Sequence, residues 1–180
     1  GDIHTANMKA AGLKDRDQSK KFIYAFLYGA GASKLGKVVG GSAGMGQNLI
    51  TKFLTNMPKL KELRENIIEA SQKGTIIALD GRLLHIRADY ASLNTLLQGA
   101  GAIICKQWLV HIIERIRKSG VDAKLVASIH DEYQFEVAKK DIKEFGQITK
   151  DAMKETEKTL NVRCPLDCEF KSGTTWSETH

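Results

Sequence analysis

Cysteine, proline and unbroken apolar stretches are all scarce in this chain. Three cysteines in 180 residues, an odd count, exclude a disulfide framework and point to a reducing, cytoplasmic compartment. Two prolines exclude a Pro-rich linker. No unbroken apolar run approaches the roughly 18 residues of a membrane span, and no secretory leader is visible. Charge of one sign is not in great excess either: 27 Lys+Arg against 21 Asp+Glu leave +6. That mild bias favours an anionic partner and keeps nucleic acid, nucleotide and acidic membrane surface open. What remains is ordinary for a folded protein, with 42% hydrophobic and 27% charged residues, and excludes a disordered tail. The length suits one domain or two small ones. The first residue is Gly1 rather than Met, which suggests a fragment of something longer.

Helical periodicity comes first along the chain. Ile3, Ala6, Ala10 and Leu13 predict a short helix over 2–13. Asp15, with Gln18 three residues on, forms a capping-box pattern ahead of a helix over 16–29, ended by Gly29-Ala30-Gly31. Five glycines between 36 and 46 suggest a short helix followed by a mobile loop. A helical stretch over 47–73 is interrupted at Asn56-Met57-Pro58, where Asn56 can cap a new helix with Pro58 in its first turn. Asp80-Gly81 joins two short strands, 75–79 and 82–87, as a hairpin. A long helix over 89–119 stops at Gly120. A second hairpin pairs 124–129 with 133–137, with His130-Asp131-Glu132 at its tip. A helix over 140–160 and a strand over 165–170 complete an α/β (more strictly α+β) chain. We expect a helical region over 1–87 and an α/β region over 88–180, together forming one compact fragment.

Three constellations carry chemistry. Arg16, Lys20, Tyr24 and Tyr28 are each four residues apart and so share one side of one helix. The two cations lie at its N-terminal end, where the helix dipole also attracts anions, and the phenols follow one and two turns on. Such a stripe can grip a polyphosphate and stack a base or sugar; the plainer alternative is a solvated edge beside two half-buried tyrosines. Asp131 and Glu132 place adjacent carboxylates beside His130 where two strands turn. Like charges so close favour a cation between them, and hard oxygen ligands suit Mg²⁺, though a solvated turn has the same sequence. Asn94 and Gln98, one helical turn apart, can donate to acceptors common to every base pair in a minor groove. The small run Gly99-Ala100-Gly101-Ala102 behind them suits a tight helix crossing.

Taken together these segments resemble the family A DNA polymerases over essentially the whole chain. Arg16-Asp17-x-x-Lys20-x-x-x-Tyr24-x-x-x-Tyr28-Gly29 is similar to motif B, the nucleotide-binding helix of the fingers. His130-Asp131-Glu132 resembles motif C of the palm. Gly1-Asp2-Ile3-His4-Thr5, Leu79-Asp80-Gly81-Arg82 and Leu93-Asn94-Thr95-Leu96-Leu97-Gln98-Gly99 match the segments around them. The run from Phe22 to Gly31, with Trp176 and a terminal His180, most resembles the replicative polymerases of short-tailed phages. A single-subunit RNA polymerase shares a related finger helix but fits this wording less well.

The resemblance implies template-directed DNA synthesis by a fingers and palm portion, with template–primer DNA and a deoxynucleotide as partners. His4, Arg16 and Lys20 would contact its phosphates and Tyr24 its sugar. Tyr28, Gly29, Arg82, Asn94, Gln98 and His130 would face the template–primer. Asp131, with Glu132 beside it, would bind Mg²⁺ in a two-metal displacement. Ala25 stands where the family commonly has Gly, and Tyr90 where bacterial members have Arg. The aspartate of motif A, the thumb and the exonuclease are not in this sequence. The resemblance therefore implies inactivity alone and an N-terminal partner polypeptide that carries them. The competing expectation is a non-catalytic DNA-binding or assembly remnant. Cys164 and Cys168 lack a matching Cys/His pair for zinc. His85, His111, Met57, Trp108 and Phe145 look like packing or surface residues.

Overall fold

The computed structural model describes residues 2–179. Gly1 and the terminal His180, both quoted for the resemblance above, lie outside them. Among the described residues there are seven α-helices and two antiparallel hairpins, the α+β class expected. The chain forms two compact units, Gly1–Gln98 and Gly99–His180. The division falls inside a long helix rather than at the 87/88 boundary expected for one compact fragment.

The first unit opens with α1 (Ile3–Ala11) and α2 (Arg16–Leu27). Asp2 and Asp15 cap them. Asp15 accepts from the Asp17 N–H at 2.9 Å, so the reciprocal partner expected at Gln18 is not the one capped. The buried face of α2 carries Ser19, Phe22, Ile23 and Phe26. Phe22 and Phe26 meet Phe53 of α4 (Ala43–Asn56) edge-on, with ring centroids 5.5 and 5.4 Å away. Aromatic edges of this kind add to the burial of the rings. That core fixes which side of α2 faces outward.

The glycine-rich stretch differs from the expected mobile loop. Gly36 lies in α3 (Ala32–Val38), while Gly44 and Gly46 lie in α4. A Cβ on Gly46 would sit 1.9 Å from the Ala32 carbonyl oxygen. The missing side chain therefore serves close packing of α3 on α4, not freedom of the backbone. After α4, Pro58 starts α5 (Pro58–Ser71), whose N-cap is Met57 with no side-chain bond. Asn56 does not cap it. Its amide donates instead to the Ala10 carbonyl at 2.8 Å, tying the end of α4 to α1. The first hairpin, β1 (Thr75–Ile77) with β2 (Leu83–His85), pairs Thr75 with His85 and Ile77 with Leu83. Both strands are shorter than predicted.

Helix α6 (Ser92–Ser119) follows a 3₁₀ turn at Asp89–Ala91 and crosses from one unit into the other. Residues 89–119 are long and apolar enough to cross a membrane, with a mean hydropathy of 1.3 over their most apolar window. A search for unbroken apolar runs passes this stretch over, because Asn94, Thr95 and Gln98 interrupt it. One such helix does not by itself make a membrane protein. The second unit contains the hairpin β3 (Ala123–Ile129) and β4 (Glu132–Val137), then α7 (Ile142–Thr159). Its core joins Trp108 and Ile112 of α6 to Phe145, Ile148, Ala152 and Met153 of α7. The Trp108 indole donates to the Thr149 carbonyl at 2.9 Å.

The strand expected over 165–170 is not present. Leu166, Cys168 and Phe170 do alternate inward with exposed neighbours, as a strand would. The segment is held by α7 side chains rather than by a ladder. Glu157 accepts from the Leu166 N–H at 2.8 Å and Lys154 donates to the Leu166 carbonyl. The extended segment pairs with no strand among the described residues, and at Leu166 α7 side chains take the N–H and the carbonyl instead.

Candidate nucleotide and DNA interface

The outward face of α2 carries Arg16, Lys20 and Tyr24, and Tyr28 continues the stripe as the residue that closes its C-terminal end. Arg16, Lys20, Tyr24 and Tyr28 are exposed, and the phenols keep 47% and 57% of their surface. That is more than two half-buried core tyrosines would keep. The side of the helix with the cations also receives α1. The His4 ring lies 6.2 Å from the Tyr24 ring, and the Ser19 hydroxyl donates to the His4 carbonyl at 3.2 Å. The His4 Nδ1 is buried without a hydrogen-bond partner. His4 and Tyr24, twenty positions apart in sequence, are therefore brought together. Lys20 forms no ion pair among the described residues.

The far end of the stripe is joined by α6. Gln98 donates its amide to the Tyr28 hydroxyl at 3.2 Å. Gly29 has a φ of +79°, and a Cβ there would meet the Tyr90 carbonyl oxygen at 2.2 Å. Only glycine satisfies both demands. Tyr90 itself stays 69% exposed, and both its carbonyl and one edge of its ring lie against Gly29. Asn94 sits one turn before Gln98 and is partly buried. Gly101 does not serve a tight helix crossing, because a Cβ there would meet nothing within 4 Å. The Arg82 guanidinium is ion-paired with Asp80 at 2.6 Å in the turn of the first hairpin, and its hydrogen bonds hold the Asp80 carboxyl below the usual carboxylate range.

In the second unit the turn between β3 and β4 is two residues, His130-Asp131, with Glu132 already paired to Ile129. His130 has a φ of +53°, the left-handed region that tight hairpins demand of their turn residues. His130 and Asp131 are exposed, whereas Glu132 is partly buried and accepts from the Gln134 amide. Sequence reasoning missed a neighbour on α6, Cys105. Burial raises its thiol pKa, and the charge of Asp131 raises it further. Asp131 and Cys105 both line an open cleft of about 1400 Å³, together with Trp108, Tyr133, Phe170 and Trp176. Only the tertiary fold brings Cys105 there, so no local pattern announces it.

The donor chemistry at this tip suits Mg²⁺, which takes one or two carboxylates and fills its remaining positions with waters and substrate phosphates. Asp131 and Glu132 offer hard oxygens. Yet among the described residues no three His, Cys, Asp or Glu side chains gather to hold a metal ion. Cys164 and Cys168 are free thiols. The tip therefore offers a divalent cation two carboxylates, with no third His, Cys, Asp or Glu gathered beside them among the described residues.

Comparison with known proteins decides the family. The sequence model of DNA polymerase family A matches residues 2–178. The chain belongs to DNA polymerase family A. Over its whole length this family A chain is 42% identical to the DNA-directed DNA polymerase of Enterobacteria phage T3 and 40% identical to that of Escherichia phage T7. It is 26% identical over 96% of its length to DNA polymerase I of Geobacillus stearothermophilus. It spans 29% of the length of each of the two phage relatives and 20% of the bacterial one. A solved structure of the POL domain of Pol1 from M. smegmatis, in complex with DNA primer-template and dNTP, shares its fold. The TM-score is 0.79 at 20% identity, over 86% of this chain and 31% of the other.

Proposed function

We propose that this chain supplies the nucleotide-binding helix and one metal-binding aspartate of a template-directed DNA polymerase. Its first unit corresponds to the fingers and its second to part of the palm. His4, Arg16 and Lys20 bind the triphosphate of the incoming deoxynucleotide, placing positive charge where charge accumulates on the transferring group. Tyr24 packs against the sugar. Tyr28 and Gly29 lie under the template–primer junction, with Asn94 and Gln98 following the minor groove and Arg82 and His130 touching the DNA. Asp131, with Glu132 beside it, contributes oxygens toward Mg²⁺, which when bound supplies the charge stabilisation of a two-metal phosphoryl transfer.

The observation that carries this reading is the gathering on α2. One exposed face holds two cations and two phenols, with His4 set against Tyr24 and Gln98 bonded to Tyr28. Two further observations support dependence on another polypeptide segment. The phage relatives are more than three times as long, and no third metal-ligand side chain gathers with Asp131 and Glu132 among the described residues. A segment bearing motif A, with the thumb and exonuclease, then completes the enzyme.

Primer extension tests this. The chain alone, given Mg²⁺, deoxynucleotides and a primed template, is expected to add nothing. Addition of the N-terminal portion of a phage family A polymerase is expected to restore extension. Extension by the chain alone contradicts the need for a partner. DNA binding without extension in the mixture would instead favour a non-catalytic remnant.

A further inference from the structure

Asp2 has more bonds than a helix cap needs. Its Oδ1 accepts from the His4 N–H at 3.2 Å, and its Oδ2 from the Thr5 N–H at 3.2 Å and the Thr5 hydroxyl at 2.6 Å. Those three bonds cap α1. The same two oxygens also take the Arg16 side chain, Nε at 2.8 Å and Nη2 at 3.2 Å. A guanidinium has five N–H donors in a fixed planar fork. Asp2 occupies the side-on pair, one hydrogen on Nε and one on Nη2. The end-on pair, Nη1 with the second hydrogen of Nη2, takes no hydrogen-bond partner among the described residues.

We infer that Asp2 is a positioning residue for the triphosphate: it clamps Arg16 side-on so that the end-on edge of the guanidinium is presented to phosphate. The inference rests on the reading of α2 given above and adds to it a residue that does not itself touch the nucleotide. A free Arg side chain would lose rotamer freedom on every binding event, and the clamp removes much of that loss beforehand. Because the clamp residue is also the cap of α1, the arrangement links the α1 segment that carries His4 to the cation at the start of α2. Asp2 also carries negative charge that opposes an anion. Both partners of the pair are well exposed, so salt screens that opposition while leaving the geometry in place.

Asp2→Asn separates the two roles, since Asn caps helices as well as Asp but cannot accept both guanidinium bonds. Arg16→Lys keeps the charge without the fork and leaves the cap untouched. Titrated with dATP at 0.3 M NaCl, each variant is expected to bind about threefold or more weaker than wild type. The double variant is expected to be no weaker than the worse single one. The Arg16 Nε–H resonance, slow to exchange in the wild type without ligand, is expected to broaden in Asp2→Asn at an unchanged melting temperature. Additive losses, or Asp2→Asn binding as tightly as wild type, overturn the positioning role. Should Asp2→Asn lose its fold, Arg16→Lys binding as tightly as wild type overturns it as well. A wild-type chain that shows the slow Nε–H resonance but binds no dATP overturns the triphosphate reading itself, and the positioning role falls with it.

Discussion

The outward face of α2 and the tip of the β3–β4 hairpin are both short, both exposed and both charged, yet they differ in how much of a site each holds. On α2 the helical repeat alone lines up Arg16, Lys20, Tyr24 and Tyr28. Nearby chain then adds His4 at 6.2 Å from Tyr24 and Gln98 at 3.2 Å from Tyr28. The hairpin turn lines up only Asp131 and Glu132, and the fold brings a thiol to it, Cys105, rather than a third carboxylate. A binding face for a long anion can be written on one helix, because the ligand spans several turns. A full set of metal ligands cannot be written on a two-residue turn, because several donors must converge on one point and so short a turn presents only neighbouring side chains.

That contrast can be broken most sharply at Asp131. In a polymerase completed by a motif A-bearing portion, Asp131→Asn is expected to slow primer extension about a thousandfold, roughly 4 kcal/mol of barrier. The dATP affinity of the chain alone stays unchanged. The same variant removes a negative charge beside Cys105, so the pH midpoint for alkylation of that thiol, followed by mass spectrometry, moves downward. A binding defect in Asp131→Asn would mean that the two regions are not separable in this way.

A second effect tests whether the stripe depends on its support. Gly46→Ala forces a Cβ to within 1.9 Å of the Ala32 carbonyl and is expected to cost about 1–3 kcal/mol, read as a lowered melting temperature. Mild acid has the smallest effect. The Arg16 guanidinium beside Asp2 holds its carboxyl well below the usual carboxylate range. Its folded pKa is thus below its unfolded one, near 3.9. The contribution of the clamp is complete above that value and lost only as pH falls toward the folded pKa. Between pH 7 and 5 the Arg16 Nε–H resonance is expected to stay in place, and its loss in that window would show a weaker clamp.

Much of this was legible in the sequence, for reasons that can be named. The inward Phe22 and Phe26 and the outward Arg16, Lys20, Tyr24 and Tyr28 follow from one 3.6-residue repeat, so α2 and its faces could be read directly. The hairpin at His130-Asp131 followed from alternation on its flanks. Local pattern failed where a residue answers to a distant partner. Gly46 reads as a loop residue until Ala32 is seen against it. Asn56 reads as a cap until the Ala10 carbonyl takes its amide. Leu166, Cys168 and Phe170 carry a strand pattern, but Glu157 and Lys154 meet the backbone of Leu166. Asp2 reads as the start of a helix, and its bond to Arg16 spans 14 positions.

The central claim is that the exposed face of α2 binds a triphosphate. Equilibrium titration of the chain with dATP, comparing wild type with Lys20→Glu, tests it most directly. A loss of at least about tenfold in affinity, 1.4 kcal/mol or more, at an unchanged melting temperature is the predicted result. Equal affinity in the two proteins would show that the stripe is only a solvated edge and would contradict the account.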